Sequence, residues 1–339
     1  MEHLSANHNV LSRRAAVSCP GSAQIAFRRL RWKYHWYRKD VDIGYPPFFI
    51  NVEPTNACNL ACRICALDGS RAKGVMEWPL FENIIEQAAR AGVTEIRLFL
   101  AGEPLLHKNI GAMISHVGER GMISCVHTNA ALLSEGRAIE LIRSGLDIIS
   151  FSFHGDTPEA YERVHVGARF DEALRNILRF LEIKRELNSV KPYSILQMAK
   201  RSQNGAPAAI LRDFKRRFEG LPLDQFRLIS PHTWAGQKTD FPHDPRGTYY
   251  FPCHSPWQSV SIAWDGRVLG CCGDLNGVMP LADIREQSLS DIWLIGPILS
   301  MRRKLGSGQV DGLPLCRQCD AVWRKAHPLL GDLKSTFLC

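Results

Sequence analysis

Thr55-Asn-Ala-Cys58-Asn-Leu-Ala-Cys62-Arg-Ile-Cys65 puts three cysteines on one loop at C-x3-C-x2-C spacing, directly after an extended run. Outward from this loop, between Pro47 and Ser230, strand-like and helix-like patterns alternate. The predicted strands are Phe48–Glu53, Glu95–Leu100, Ile123–Asn129, Ile148–His154, Ser194–Lys200 and Phe226–Ser230. Between them, Leu80, Phe81, Ile84, Ile85 and Ala88 repeat at helical spacing, as do Leu174, Ile177, Leu178 and Leu181. Ser134, before Glu135 and Ala138, is placed to cap another helix. Six such alternations predict an α/β fold with a parallel sheet and right-handed crossovers, either open or curled into a barrel.

A parallel strand buried on both sides should be apolar on both faces. Here one face turns polar toward each C-terminal end: Asn51 with Glu53, His127 with Asn129, Ser150 with Ser152 and His154, and Gln197. Phe48, Ile50, Val52, Ile149, Phe151 and Phe153 hold the opposite faces, ready for a covering of helices. One buried polar group is often just a satisfied core residue. Recurrence on four strands predicts an active site at a barrel mouth, onto which the cysteine loop opens.

The 339 residues suffice for one large domain and a smaller one, and 45% hydrophobic with 22% charged residues is ordinary for a globular protein. No apolar run reaches the ~18 residues of a membrane span. Arginines throughout 13–31 interrupt any signal-peptide core, so a cytoplasmic protein is expected. In a reducing compartment, the 11 cysteines point to metal binding or catalysis rather than disulfides. Three lie in 58–65 and five between 253 and 319, while Cys19, Cys125 and Cys339 stand apart. Much of the net charge of +8 sits in Arg28–Lys39, which reads as a solvated amphipathic lead-in helix. A basic face there would also steer an acidic reductant.

Three thiolates on one loop can hold three irons of a [4Fe–4S] cube and leave the fourth iron open. Structural zinc prefers four ligands in pairs. These residues resemble the radical S-adenosylmethionine (SAM) superfamily. Ala101-Gly102-Glu103-Pro104 is similar to the family's Gly-Gly-Glu-Pro element, which meets the methionine amino group of the cofactor. Ser152 and Arg163 match positions that contact its carboxylate or ribose, and Asn129 and Gln197 are further cofactor-side candidates. The resemblance implies a partial (β/α)6 barrel. Three positions depart from the pattern: Ala101 replaces the first glycine, Ile64 replaces a frequent aromatic, and His154 stands where relatives often have aspartate.

Cys253, Cys271 (with Cys272 beside it), Cys316 and Cys319 make a second set, whose spacing alone suits a cluster or zinc equally. Gln258–Val260 and Arg267–Gly270 flank Trp264-Asp265-Gly266, a hairpin signal. The arrangement resembles the one-cluster, or twitch, form of the SPASM domain, together with Leu281-Ala-Asp-Ile and Ser290-Asp-Ile-Trp293. That implies one auxiliary [4Fe–4S] cluster, and Gly266-x4-Cys271 favours Cys271 over Cys272 as ligand. The expected organisation is a tail and basic helix (1–44), the barrel (45–230), a linker (231–250), the auxiliary-cluster domain (251–325) and a C-terminal tail (326–339).

The resemblance implies cleavage of SAM to a 5′-deoxyadenosyl radical that abstracts hydrogen from a substrate. It implies an auxiliary cluster that accepts an electron, and an acidic electron donor such as flavodoxin or ferredoxin. The leading expectation is dehydrogenase-like oxidation of a small sugar-like or polyhydroxylated molecule, because twitch enzymes include an aminocyclitol dehydrogenase. Maturation of a ribosomal peptide ranks second, since only about 45 residues precede the first strand, too few for a winged-helix leader-binding domain. His154, His232 and His254 are candidates for a catalytic base. A zinc-stapled nucleic-acid-binding protein would account for the charge but leaves the triplet unused, so no nucleic acid is expected.

Overall fold

A computed structural model describes residues 22–199, 208–230, 232–238 and 249–324. Six strands form its centre: β1 (Phe49–Val52), β2 (Glu95–Arg97), β3 (Ile123–Thr128), β4 (Ile148–Ser152), β5 (Tyr193–Ala199) and β6 (Gln225–Ile229). They pair in chain order, all parallel. Helix α1 (Ser22–Arg38) precedes them; α2 (Trp78–Ala91), α3 (Ile110–Glu119), α4 (Glu135–Arg143), α5 (Pro158–Val164), α6 (Phe170–Glu186) and α7 (Ala208–Arg216) form the crossovers. Phe81, Ile84, Ile85 and Ala88 are the buried face of α2, and the Ser134 side chain caps α4 by accepting from the Arg137 N–H. This is the expected parallel half-barrel.

The register confirms the shared polar face. His127 pairs with Ser150, Ser152 with Gln197, and Gln197 with Arg227, so these side chains project to the same side of the sheet. Asn51 Oδ1, His127 Nε2, Ser150 Oγ and Gln197 Oε1 are buried there without a hydrogen-bond partner among the described residues. His127 lies flat on Phe99 at 3.7 Å, and burial, with Arg97 and Arg227 nearby, pushes its imidazole down to about 3. Lower on the same face, Arg97 pairs with Glu95 at 2.6 Å and covers Phe49.

The cysteine-rich region extends this sheet. After β7 (Tyr249–Tyr250) and α8 (Ser255–Gln258) come β8 (Ser259–Ile262), β9 (Arg267–Leu269) and β10 (Pro280–Asp283), an antiparallel meander. β8 then runs parallel to β1, giving nine strands in the order β10-β9-β8-β1-β2-β3-β4-β5-β6. Asn51 Nδ2 donates to Ser261 Oγ across that junction at 3.0 Å. Two helices follow, α9 (Leu289–Leu294) and α10 (Pro297–Ser307), separated at Gly296-Pro297 because proline cannot continue the hydrogen-bond ladder. β11 (Trp323–Arg324) closes on β7.

Helix α1 differs from the solvated helix expected of it. Trp32 and Trp36 are buried, and Trp36 Nε1 donates to the Pro252 carbonyl at 2.9 Å. The segment 232–238 is likewise tied down rather than a free linker. Thr233 Oγ1 donates to Asp320 Oδ1, Trp234 Nε1 to the Ile64 carbonyl, and Gln237 Nε2 to the Gly273 carbonyl. Trp234 and Ala235 carry φ of 48° and 56°, a left-handed pair that these bonds hold in place. Residues 1–21, the rest of the linker (231 and 239–248), residue 325 and the expected C-terminal tail (326–339) lie outside the described residues. No helix among the described residues is long and apolar enough to cross a membrane.

Candidate active site

The loop 55–65 leaves β1 at the polar end of the sheet. Cys58, Cys62 and Cys65 are half-buried on it. Burial, then the charges of Cys65 and Cys58, push the Cys62 thiol up to about 12; burial also raises Cys58 and Cys65. Thiols crowded in this way ionise against a bound cation, and the metal-bound thiolate is the form such a site favours. The backbone N–H of Leu67 points at Cys65 Sγ from 3.4 Å, and that of Leu60 serves Cys58.

Glu53, at the end of β1, anchors the loop's base. Its carboxylate takes both terminal nitrogens of Arg71 at 3.0 and 2.7 Å, plus the backbone N–H groups of Ala101 and Trp264. Arg71 also donates to the Leu275 carbonyl. One buried ion pair, whose residues flank the cysteine loop in the chain, therefore touches the 101–104 turn and the cysteine-rich region.

In that turn, Gly102 has φ of 76°, and a Cβ there would lie 2.4 Å from the Thr55 carbonyl oxygen, so glycine is required. Position 101 has no such constraint, which explains why alanine is accepted. Glu103 is wholly buried; Thr128 Oγ1, Leu105 N and Asn129 N donate to it, while burial still pushes its carboxyl up to about 7. A cationic group docked beside it would restore the carboxylate. Pro104 starts the buried 3-10 turn that follows. Asn129 Nδ2 donates to Asn59 Oδ1 at 2.9 Å, linking β3 to the loop. Ser152 and Gln197 stand side by side at the polar rim, whereas Arg163 is exposed on the last turn of α5.

The three histidine candidates separate. His154 is buried at the rim, with Nδ1 accepting from Ala199 N. His232 lies against Trp234 with ring centroids 4.4 Å apart and planes tilted by 51°, and accepts from its backbone N–H. His254 lies against Trp32 and Trp36, a packing position beneath α1.

Cys253, Cys271, Cys316 and Cys319 lie near one another. Burial and the charges of Cys271 and Cys253 raise the thiols of Cys316 and Cys319. Backbone N–H groups two residues on point at sulfur in three cases: Ser255 to Cys253, Gly273 to Cys271 and Ala321 to Cys319. Among the described residues no three His, Cys, Asp or Glu side chains close around a single ion. A cube, whose thiolates bind different irons, does not ask them to. Both sets thus fit a cluster.

Residues 52–190 match the Radical SAM superfamily, and residues 253–320 match SPASM, the iron–sulfur cluster-binding domain. This chain is a radical SAM/SPASM enzyme. The two domains imply S-adenosylmethionine, a radical SAM [4Fe–4S] cluster and auxiliary iron–sulfur binding. Among curated relatives, the PqqA peptide cyclase of Gluconobacter oxydans is 26% identical over 303 residues, covering 81% of this chain and 83% of that protein. Among solved structures, BtrN in complex with AdoMet and 2-DOIA gives a TM-score of 0.56 at 20% identity, covering 84% and 97% of the two chains. Streptococcus suis SuiB bound to precursor peptide SuiA gives 0.55 at 17% identity, covering 80% and 70%.

Sequence reasoning missed Glu53–Arg71, His165 and Trp234. Glu53 was visible as a polar strand end, but its partner lies beyond the cysteine loop. The other two reach the loop only through folding.

Proposed function

We infer that this enzyme modifies a ribosomally made peptide. The observation that carries the inference is the match to PqqA peptide cyclases, which runs through both domains and most of either chain. The solved structures, at 20% identity or less, speak to the fold alone. Oxidation of a small sugar-like molecule, the leading expectation from sequence, therefore takes second place.

In this reading Cys58, Cys62 and Cys65 hold the radical SAM cluster, and Cys253, Cys271, Cys316 and Cys319 hold an auxiliary one. When bound and reduced, the first cluster supplies the electron that cleaves SAM to a 5′-deoxyadenosyl radical. Gly102 lets the turn pass against the Thr55 and Ala57 carbonyls, and Glu103 would receive the cofactor's amino group. Asn129, Ser152, Gln197 and Arg163 remain the cofactor-side candidates. The polar groups of Ser150, His127 and Asn51 line the lumen where the substrate would sit. An acidic donor such as flavodoxin or ferredoxin supplies the electron.

The test mixes the anaerobically reconstituted enzyme, SAM and dithionite with short peptides encoded beside its gene. A peptide losing two hydrogens, with matching 5′-deoxyadenosine, is the expected result. Unaltered peptides, together with oxidation of an aminocyclitol or another polyol, would reverse the ranking.

A further inference from the structure

The cysteine loop is stitched to the segment after α5 on either side of one side chain. Ala61 N donates to the Val166 carbonyl at 3.0 Å and Arg63 N to the Val164 carbonyl at 2.9 Å. Between these two bonds His165 turns inward, 1% exposed, with Nδ1 3.3 Å from Cys62 Sγ. Its other nitrogen, Nε2, lies 3.0 Å from the backbone nitrogen of His154. That N–H can only donate, so Nε2 is the acceptor and carries no hydrogen. The hydrogen of the neutral ring is thereby on Nδ1, facing sulfur. The ring is also clamped, stacked on His154 at 5.1 Å and on Tyr161 at 4.4 Å. His154 in turn is held by β5, through the Ala199 N–H.

We propose that His165 donates Nδ1–H to the Cys62 sulfur and thereby raises the reduction potential of the cluster held by Cys58, Cys62 and Cys65, an assignment on which this inference rests. A hydrogen bond to a cluster thiolate favours the more negative, reduced form over the oxidised one. Cys58 and Cys65 receive their bonds from the backbone of Leu60 and Leu67, which no side-chain substitution removes. Cys62 has, besides its own backbone N–H, a side-chain partner. His165 is a positioning residue: it acts through Cys62.

The experiment compares the full-length, anaerobically reconstituted wild type with His165→Phe and His165→Gln by EPR-monitored redox titration. The relevant signal is the one absent from a Cys58→Ala/Cys62→Ala/Cys65→Ala variant. His165→Phe, which keeps a ring for the stack, should retain its iron and sulfide while its midpoint shifts to more negative potential. His165→Gln, which can offer an N–H again, should fall between. Wild type grown on 15N-histidine should show a histidine-nitrogen coupling on the reduced cluster by pulsed EPR, a readout independent of how well any variant folds. An unchanged midpoint in fully loaded His165→Phe, or no such coupling in wild type, overturns the proposal. If the triple cysteine variant keeps all its iron, the cluster assignment is wrong and the proposal falls with it, which tells the two failures apart.

Discussion

Cys58, Cys62 and Cys65 share one short loop at the open end of the sheet, half-buried, whereas Cys253, Cys271, Cys316 and Cys319 come together from separate segments and include two core residues, Cys316 and Cys319, at 6% exposure. The first set offers three thiolates beside the polar lumen, so one iron of a cube would face the cofactor. The second offers four thiolates, which on a cube would leave no iron open. Local sequence builds the reactive site, and long-range folding builds the closed one. The 232–238 segment bonds to both, and Glu53–Arg71, which flanks the loop in the chain, ties its base to the cysteine-rich region, so the two are joined through polar contacts.

The largest contrast comes from deleting the loop's ligands. The Cys58→Ala/Cys62→Ala/Cys65→Ala variant should lose about four irons per chain and bring SAM cleavage to background, with about four irons remaining at the other set. Iron analysis and 5′-deoxyadenosine release measure both. Next is the joint between the sites. Arg71→Met strands the Glu53 carboxylate, which is 0% exposed, and should cost about 3–5 kcal/mol in denaturant unfolding. The double variant Glu53→Gln/Arg71→Met should recover much of that loss. Equal stabilities for the single and double variants would show that the pair is not the joint.

The six parallel strands and the polar rim were legible because period-two patterning and loop position are local properties of the chain. The pairing of β8 with β1 was not, since nothing in Ser259–Ile262 names the strand it will lie beside. The same holds for Arg71, which reads as one more surface arginine until folding brings it to Glu53. His165 lies two residues from Arg163, a position singled out by resemblance, yet only the backbone bonds at Val164 and Val166 show which of the two turns toward the loop. The auxiliary cysteines were legible as a set because thiol spacing is distinctive, while the tight packing of α1 on their region was hidden by its charge.

A smaller effect separates the roles of the two sites. Cys316→Ala/Cys319→Ala should halve the iron, from about eight to about four per chain, while 5′-deoxyadenosine still forms and substrate conversion is lost. Full conversion in that variant would remove the auxiliary site from the reaction.

The smallest contrast, and the sharpest, is between neighbours. Burial, then the charges of Cys271 and Cys253, raise Cys316 and Cys319, and the Gly273 N–H points at Cys271 Sγ from 3.2 Å. Backbone N–H groups bear on Cys253 and Cys319 from the same position, two residues on, so Cys271 shares the local geometry of its set. Cys271→Ser should therefore bleach part of the visible absorption and lower the iron content. Cys272→Ser should leave both at the wild-type value. The reverse outcome would move the ligand by one residue and break the Gly266-x4-Cys271 spacing that first suggested it.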